Sequence, residues 1–258
     1  WPEIFSHFFR KLLFHSEDEY ILAGDEVVVS KAGDETYGKD CIFSSLAQRP
    51  IPGLAFFAFS LVNIRLRRSS PIKMEQIVRS EEEKAACQAK ARARKTKKKP
   101  DEKRKPGRPK GSKNKDKHQV ELNPELKRIQ SMLQALLERA ITFLSLKYLV
   151  LDGHFGNWPA AWMVLQNHLH LVSKLRHDAG LYLPYAGPKP KHGPTPKLGE
   201  KIDYDHLPDQ YLVQSSTEDG IRTDIYQVNL WNKEFPIPLN VVMIHKTILK
   251  TQAVAHVV

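Results

Sequence analysis

Cysteine is almost absent from this sequence. Its 258 residues hold only Cys41 and Cys87, which give neither a disulfide framework nor the paired spacing of a zinc site. Long apolar runs are missing too: none reaches the roughly 18 residues needed to cross a bilayer. The opening Trp1-Pro2-Glu3-Ile4-Phe5 has no basic stretch ahead of an apolar core, which argues against a signal peptide. There is no glycine-rich phosphate loop, no nucleophilic Ser or Cys constellation and no dinucleotide fingerprint. These absences exclude a disulfide-stapled secreted domain, a helical membrane protein and the common nucleotide-binding enzymes. An intracellular, reducing compartment is the default. An initiator Met is also lacking, and the sequence stops inside the apolar Ala255-His256-Val257-Val258, so a piece of a longer chain is expected.

What the sequence does have is charge, unevenly placed. The formal net charge is +11, yet Lys84 to Lys117 alone carries sixteen Lys/Arg against three Asp/Glu. That stretch is +13, and the remaining residues sum to −2. A basic segment is thus grafted onto a nearly neutral body, which suits an anionic polymer docking at one place. Residues 80–121 hold almost no large apolar side chain, so they are expected to lack stable structure in isolation.

Around this insert the apolar pattern is that of one large domain or one domain with insertions. Ile4, Phe8, Phe9, Leu12 and Leu13 have helical spacing; a strand follows from Tyr20 to Ser30, and a glycine-bearing turn over residues 31–38. Leu54 to Ile64 is apolar almost throughout, as expected of a strand covered on both faces. Asn123-Pro124 reads as a helix cap and first helical residue, ahead of a stripe from Leu126 to Leu144. A short helix is expected over 160–167 and a strand over 168–175. Residues 184–209, with six prolines, read as loop. Strands follow at Tyr211–Gln214, Thr223–Trp231 and Val241–Ile248.

Two short acidic motifs carry the chemistry. Tyr20-Ile21-Leu22-Ala23-Gly24-Asp25-Glu26 and Leu146-Lys147-Tyr148-Leu149-Val150-Leu151-Asp152-Gly153 each run a strand-like apolar stretch into a carboxylate. An unpaired charge fits poorly inside a sheet, and a shared cation removes that penalty. Two strands delivering Asp to one end are a usual way to hold magnesium for phosphodiester chemistry. The plainer alternative is that each Asp only caps a strand or opens a turn.

The flanks of both motifs resemble a known family. Leu22 to Gly33 followed by Thr36-Tyr37-Gly38 resembles the first catalytic segment of DDE-type transposases of bacterial insertion sequences, and Pro52 to Val62 is similar to the strand that follows it there. Tyr148-Leu149-Val150-Leu151-Asp152-Gly153-His154-Phe155-Gly156-Asn157 resembles the second segment, and Leu171 to Ala179 the strand after that. The resemblance covers most of residues 20–258 outside the basic insert. It implies an α/β fold: a ribonuclease H-like mixed sheet with flanking helices, interrupted here by a disordered basic insert and a β-rich insertion. Residues 1–79 and 122–183 would build the ribonuclease H-like domain, 80–121 the insert, and 184–258 a Pro-rich loop with the β-rich insertion. Asp25 and Asp152 would be the first two catalytic acids and metal ligands for Mg2+ or Mn2+, with a two-metal site only in a complete enzyme. The implied partner is double-stranded DNA, as element ends and target, with a homodimer in a synaptic complex, no membrane, and a cytoplasmic, nucleoid-associated place in a bacterium.

One departure stands out. The family's third acid is a Glu on a later helix, and no apolar-periodic helix carrying a Glu follows the strands here. Glu218, Asp219, Asp224 and Glu234 lie among turn and strand signals. The expectation is therefore a catalytic domain cut before its last acid and inactive as it stands, or else a non-catalytic DNA-binding remnant. For DNA contact, Lys105-Pro106-Gly107-Arg108-Pro109-Lys110-Gly111-Ser112-Lys113 resembles an AT-hook, in which Arg108 would enter the A·T minor groove while Lys105, Lys110 and Lys113 touch phosphates. The other reading is a solvated linker that binds any polyanion. Arg176 is a phosphate contact by resemblance, or an ordinary surface ion pair. His168 and His170 alternate along one strand without a third ligand, Glu26 points away from the Asp25 face, and Trp158 with Trp162 suits core packing.

Overall fold

The computed structural model describes residues 2–33, 35–44, 47–96, 116–139, 143–176 and 178–258. The chain divides into two compact units, one from residues 1–115 and 131–146, the other from 116–130 and 147–258. Both hold multi-stranded sheet with few helices, a mixed α/β architecture consistent with the ribonuclease H-like fold.

In the first unit, helix α1 (Pro2–Leu12) precedes strands β1 (Tyr20–Ser30), β2 (Asp40–Ser44), β3 (Arg49–Asn63) and β4 (Arg68–Ile77). β3 is the organiser. β1 pairs antiparallel along Gly53–Asn63, while β2 and β4 pair antiparallel with successive stretches, Arg49–Gly53 and Ala55–Asn63. A Cβ at Gly53 would come within 2.6 Å of the Val29 carbonyl oxygen, so this crossing of strands needs glycine. Alternate side chains of β3 face opposite ways. Ala55, Phe57, Phe59 and Leu61 are buried, whereas Leu54, Phe56, Ala58, Ser60 and Val62 are half-buried. The run read as a strand covered on both faces is thus fully covered on one. Ahead of β1, the buried Asp18 accepts hydrogen bonds from Asn63 Nδ2 (2.7 Å) and Arg65 Nε (2.6 Å), which tie the strand's entry to the β3–β4 turn. These two bonds hold its carboxyl below the usual carboxylate range.

The basic insert departs from expectation at its start. Residues Glu81–Thr96 form helix α2 where composition pointed to no regular structure. Local terms are sufficient: Ser80 Oγ accepts from Glu83 N (3.2 Å) while Glu83 Oε2 accepts from Ser80 N (3.0 Å), a reciprocal cap. Lys84 pairs with Glu81 at 2.7 Å, and Ala, Gln, Lys and Arg are good helix formers.

Helix α3 (Pro124–Arg139) begins where Asn123 Oδ1 accepts the Leu126 N–H at 2.8 Å, the expected cap. Leu126, Ile129, Met132, Leu133 and Leu136 form its buried stripe. Leu144 lies past the helix, and residues 140–142 are outside those described.

The second unit opens with a parallel pair, β5 (Tyr148–Val150) and β6 (His170–Val172), joined through a 3-10 turn (Gly153–Phe155) and helix α4 (Trp158–Leu165). Asn157 Oδ1 caps α4 through the Ala160 N–H at 3.1 Å, with Pro159 in the first turn. Trp158 and Ala161 pack with Phe235, and the Trp158 indole donates to the Lys117 carbonyl at 2.6 Å. β7 (Leu181–Pro184), β8 (Leu198–Lys201), β9 (Leu212–Glu218), β10 (Ile221–Asn232), β11 (Leu239–Ile248) and β12 (Ala253–Val257) build an antiparallel sheet ordered β12-β11-β10-β7-β8, with β9 also on β10. Its core is Leu181, Ile202, Tyr226, Leu230, Val241, Met243 and Val258. Asp219 and Gly220, both at positive φ (50° and 74°), close the β9–β10 hairpin, as an Asp-Gly pair favours. The stretch read wholly as loop over 184–209 therefore contains the end of β7 and all of β8.

Candidate active site

Asp25 sits in the middle of β1, not at its end. Tyr20, Leu22 and Gly24 are buried, and that alternation stops at Asp25, Glu26 and Val27, which are exposed. The strand itself continues to Ser30 because β3 goes on pairing with it. Ala58 is the cross-strand partner of Asp25, a small side chain that leaves the carboxylate open to solvent. Asp25 Oδ1 accepts the Glu26 N–H at 2.8 Å.

Asp152 is held differently. The ladder of the parallel pair extends one residue beyond β5, with Leu151 N donating to the Val172 carbonyl at 3.0 Å. Asp152 follows as the cap of the 3-10 turn, its Oδ1 accepting the His154 N–H at 3.1 Å. Ser173 Oγ donates to the Asp152 carbonyl at 2.6 Å, and Asn157 Nδ2 donates to the His154 carbonyl at 3.0 Å. Glycine is required close by, since a Cβ at Gly156 would lie 2.5 Å from the Lys174 carbonyl oxygen. His154 Nε2 lies 3.4 Å from Glu125 Oε2 on the first turn of α3. Sequence reading missed these supports. Asn157 ahead of Trp158-Pro159 is a cap signature that marks the turn, whereas nothing local marks Ser173.

Each acid thus spends Oδ1 on a backbone N–H, and neither Oδ2 makes a hydrogen bond or ion pair among the described residues. Carboxylate oxygens suit a hard divalent cation. Yet no group of three or more His, Cys, Asp or Glu among the described residues is arranged to hold a metal ion. Asp25 and Asp152 fit such an ion by donor type and fall short of a complete ligand set.

The other candidates separate cleanly. Arg176 is exposed and forks onto Asp178, with Nε–Oδ1 at 3.1 Å and Nη2–Oδ2 at 3.2 Å. Both line an open cleft of about 270 Å³ together with Asn232, Lys233 and Glu234. Lys105, Arg108, Lys110 and Lys113 lie outside the described residues, as does the whole AT-hook-like motif. His168 is not in a strand; it turns the chain at positive φ (58°) before β6, while His170 is exposed on β6. Of the four late acids, Glu218 ends β9, Asp219 forms the hairpin turn and Glu234 follows β10. Asp224 is buried on β10 and committed to Arg222 Nε (2.8 Å) and Ser215 Oγ (2.5 Å), which lower its pKa. None lies on a helix.

The sequence model of the DDE superfamily endonucleases matches residues 4–235. The chain belongs to that family. No curated protein matches it. Membership of the DDE superfamily endonucleases carries nuclease- or transposase-type chemistry on DNA, which these enzymes generally perform with divalent metals. No helix among the described residues is long and apolar enough to cross a membrane.

Proposed function

We propose that this chain carries the catalytic centre of a DDE-type transposase, cutting and rejoining DNA at the ends of an insertion sequence. Asp25 and Asp152 are its first two acids. The observation that supports this most directly is that both stand exposed within the family match, each with one carboxylate oxygen uncommitted among the described residues. Together they would hold Mg2+ or Mn2+, which when bound supplies charge for an attacking water or DNA 3′-hydroxyl and for the leaving oxygen. The chain's own part is to fix those oxygens: β1 through its register with β3, and the Asp152 turn through Ser173, His154 and Asn157. The basic segment 84–117 adds phosphate contacts whose strength falls steeply with salt. Within it Arg108 is assigned to the A·T minor groove, with Lys105, Lys110 and Lys113 on phosphates and Arg176 as a further contact on the body. A homodimer would bring two element ends together.

A second reading, a DNA-binding protein without cleavage, is favoured by the late acids. Asp224 is tied into an ion pair, and Glu218, Asp219 and Glu234 occupy strand end, turn and bend. Without a third acid the leaving oxygen loses stabilising charge, and each 1.4 kcal/mol of barrier is about tenfold in rate. These 258 residues alone are accordingly assigned cleavage several powers of ten below a complete enzyme. The deciding experiment is a Mn2+-dependent cleavage assay on DNA carrying element ends, with this chain beside a longer form reaching a helical Glu. Cleavage by the longer form alone, abolished by Asp152→Ala, is expected. Robust cleavage by the short form would place a third ligand within it, and binding without cleavage by either form would favour the second reading.

A further inference from the structure

A row of polar side chains crosses the antiparallel sheet of the second unit. Ser215 on β9, Asp224 on β10, His245 on β11 and His256 on β12 are successive partners in register. Neighbours in such a row share one face of the sheet, with side chains close enough to interact. The first half of the row is closed: Ser215 and Arg222 saturate Asp224. The second half is open. His245 is nine-tenths buried, and its Nε2 has no hydrogen-bond partner among the described residues. Such a buried, unpaired polar atom is costly, and in native proteins calls for a missing water, ion or function.

The His256 ring lies 5.9 Å from the His245 ring, centre to centre, and stacks on Tyr204 at 5.7 Å and 8°. Tyr204 is itself anchored, its hydroxyl donating to the Ala179 carbonyl at 2.6 Å. The second imidazole is therefore positioned by a fixed ring.

We propose that His245 and His256 form a two-imidazole site for a borderline divalent cation of the zinc, nickel or copper(II) class, completed by water. Imidazole nitrogen selects these ions, whereas magnesium prefers oxygen. The site is thus distinct in chemistry from the one assigned to Asp25 and Asp152. It would pin β12, an edge strand of this sheet, to β11.

The chain has eleven histidines, so binding must be tied to this pair. The experiment titrates Zn2+ into the metal-stripped full chain and follows thermal stability together with histidine ring NMR signals. Zinc should raise the melting temperature and shift two histidine ring spin systems, which Mg2+ should leave unshifted. His245→Gln and His256→Gln should each weaken zinc affinity at least tenfold, while substitution of the exposed His168 and His170 by Gln leaves it unchanged. His256 is half-buried, so its variant is the one to use if the His245 variant does not fold. Absence of zinc-dependent stabilisation, or undiminished affinity in His256→Gln, would overturn the site.

Discussion

The two acids occupy opposite kinds of structure. Asp25 lies inside an 11-residue strand whose position is set by long-range pairing with β3. Asp152 lies past a three-residue strand, in a turn fixed by contacts from residues close in sequence and from Ser173. A carboxylate can therefore be presented either by register or by capping. The two routes differ in what disturbs them: a register-held group moves only when the sheet yields, whereas a capped group can be loosened by one side chain.

The strongest way to break the register route is in the core of β3. Phe59 is fully buried and lies in the buried row beside β1. Phe59→Ala should cost about 3–5 kcal/mol, read as a shift in the urea midpoint, with faster amide exchange along β1. Loss of protection confined to residues 148–175 would contradict the assignment of Asp25 to strand register. The capping route should yield to a smaller change. Asn157→Ala removes the α4 cap and the support of the His154 carbonyl, at a cost of about 1 kcal/mol. It should raise exchange at residues 153–157 while leaving β1 and β3 unchanged. If β1 responds as strongly, the two acids are not held independently.

Acid sharpens the same comparison with the smallest effect. In the first unit, Asp18 has its pKa lowered by Arg65 and Asn63. Its contribution is present above the ordinary carboxylate value of 3.8 and lost as pH falls through the depressed native value. In the second, burial lowers the pKa of His245. The unfolded chain then binds the proton more readily, so stability falls as pH drops below the ordinary histidine value of 6.5. The exposed His206–Asp203 pair works the other way, since its raised pKa favours folding below 6.5, but solvent screens it. Protection factors in β10 and β11, corrected for the slower intrinsic exchange in acid, should thus fall between neutral pH and pH 5 in the metal-free chain, with β3 unmoved, and His245→Gln should flatten that response. Equal loss in both units would contradict it.

Strands with strong alternation or an apolar run were legible: β1 matches its expected bounds, and β10 and β11 extend theirs by a few residues. Asn123 and Pro124 announced α3. What the sequence hid follows from how each element is stabilised. α2 has no apolar face to betray it and rests on a cap and helix propensity, although Ser80-x-x-Glu83 was a visible sign. β8 is short and lies among prolines, so pairing with β7 defines it, not its own pattern. His168 looked like a strand residue because its neighbours alternate, but its positive φ makes it a turn. The strand-like runs leading into Asp25 and Asp152 were legible, whereas the place of Asp25 within its strand depended on partners far along the chain.

The most direct test of the central claim, that Asp25 and Asp152 are the metal-holding acids, is Mn2+ binding measured by electron paramagnetic resonance on the folded chain. Binding should be saturable and should weaken at least tenfold, about 1.4 kcal/mol, in Asp25→Asn and in Asp152→Asn. Asp224→Asn should bind as the parent does. Undiminished binding in both of the first two variants would contradict it.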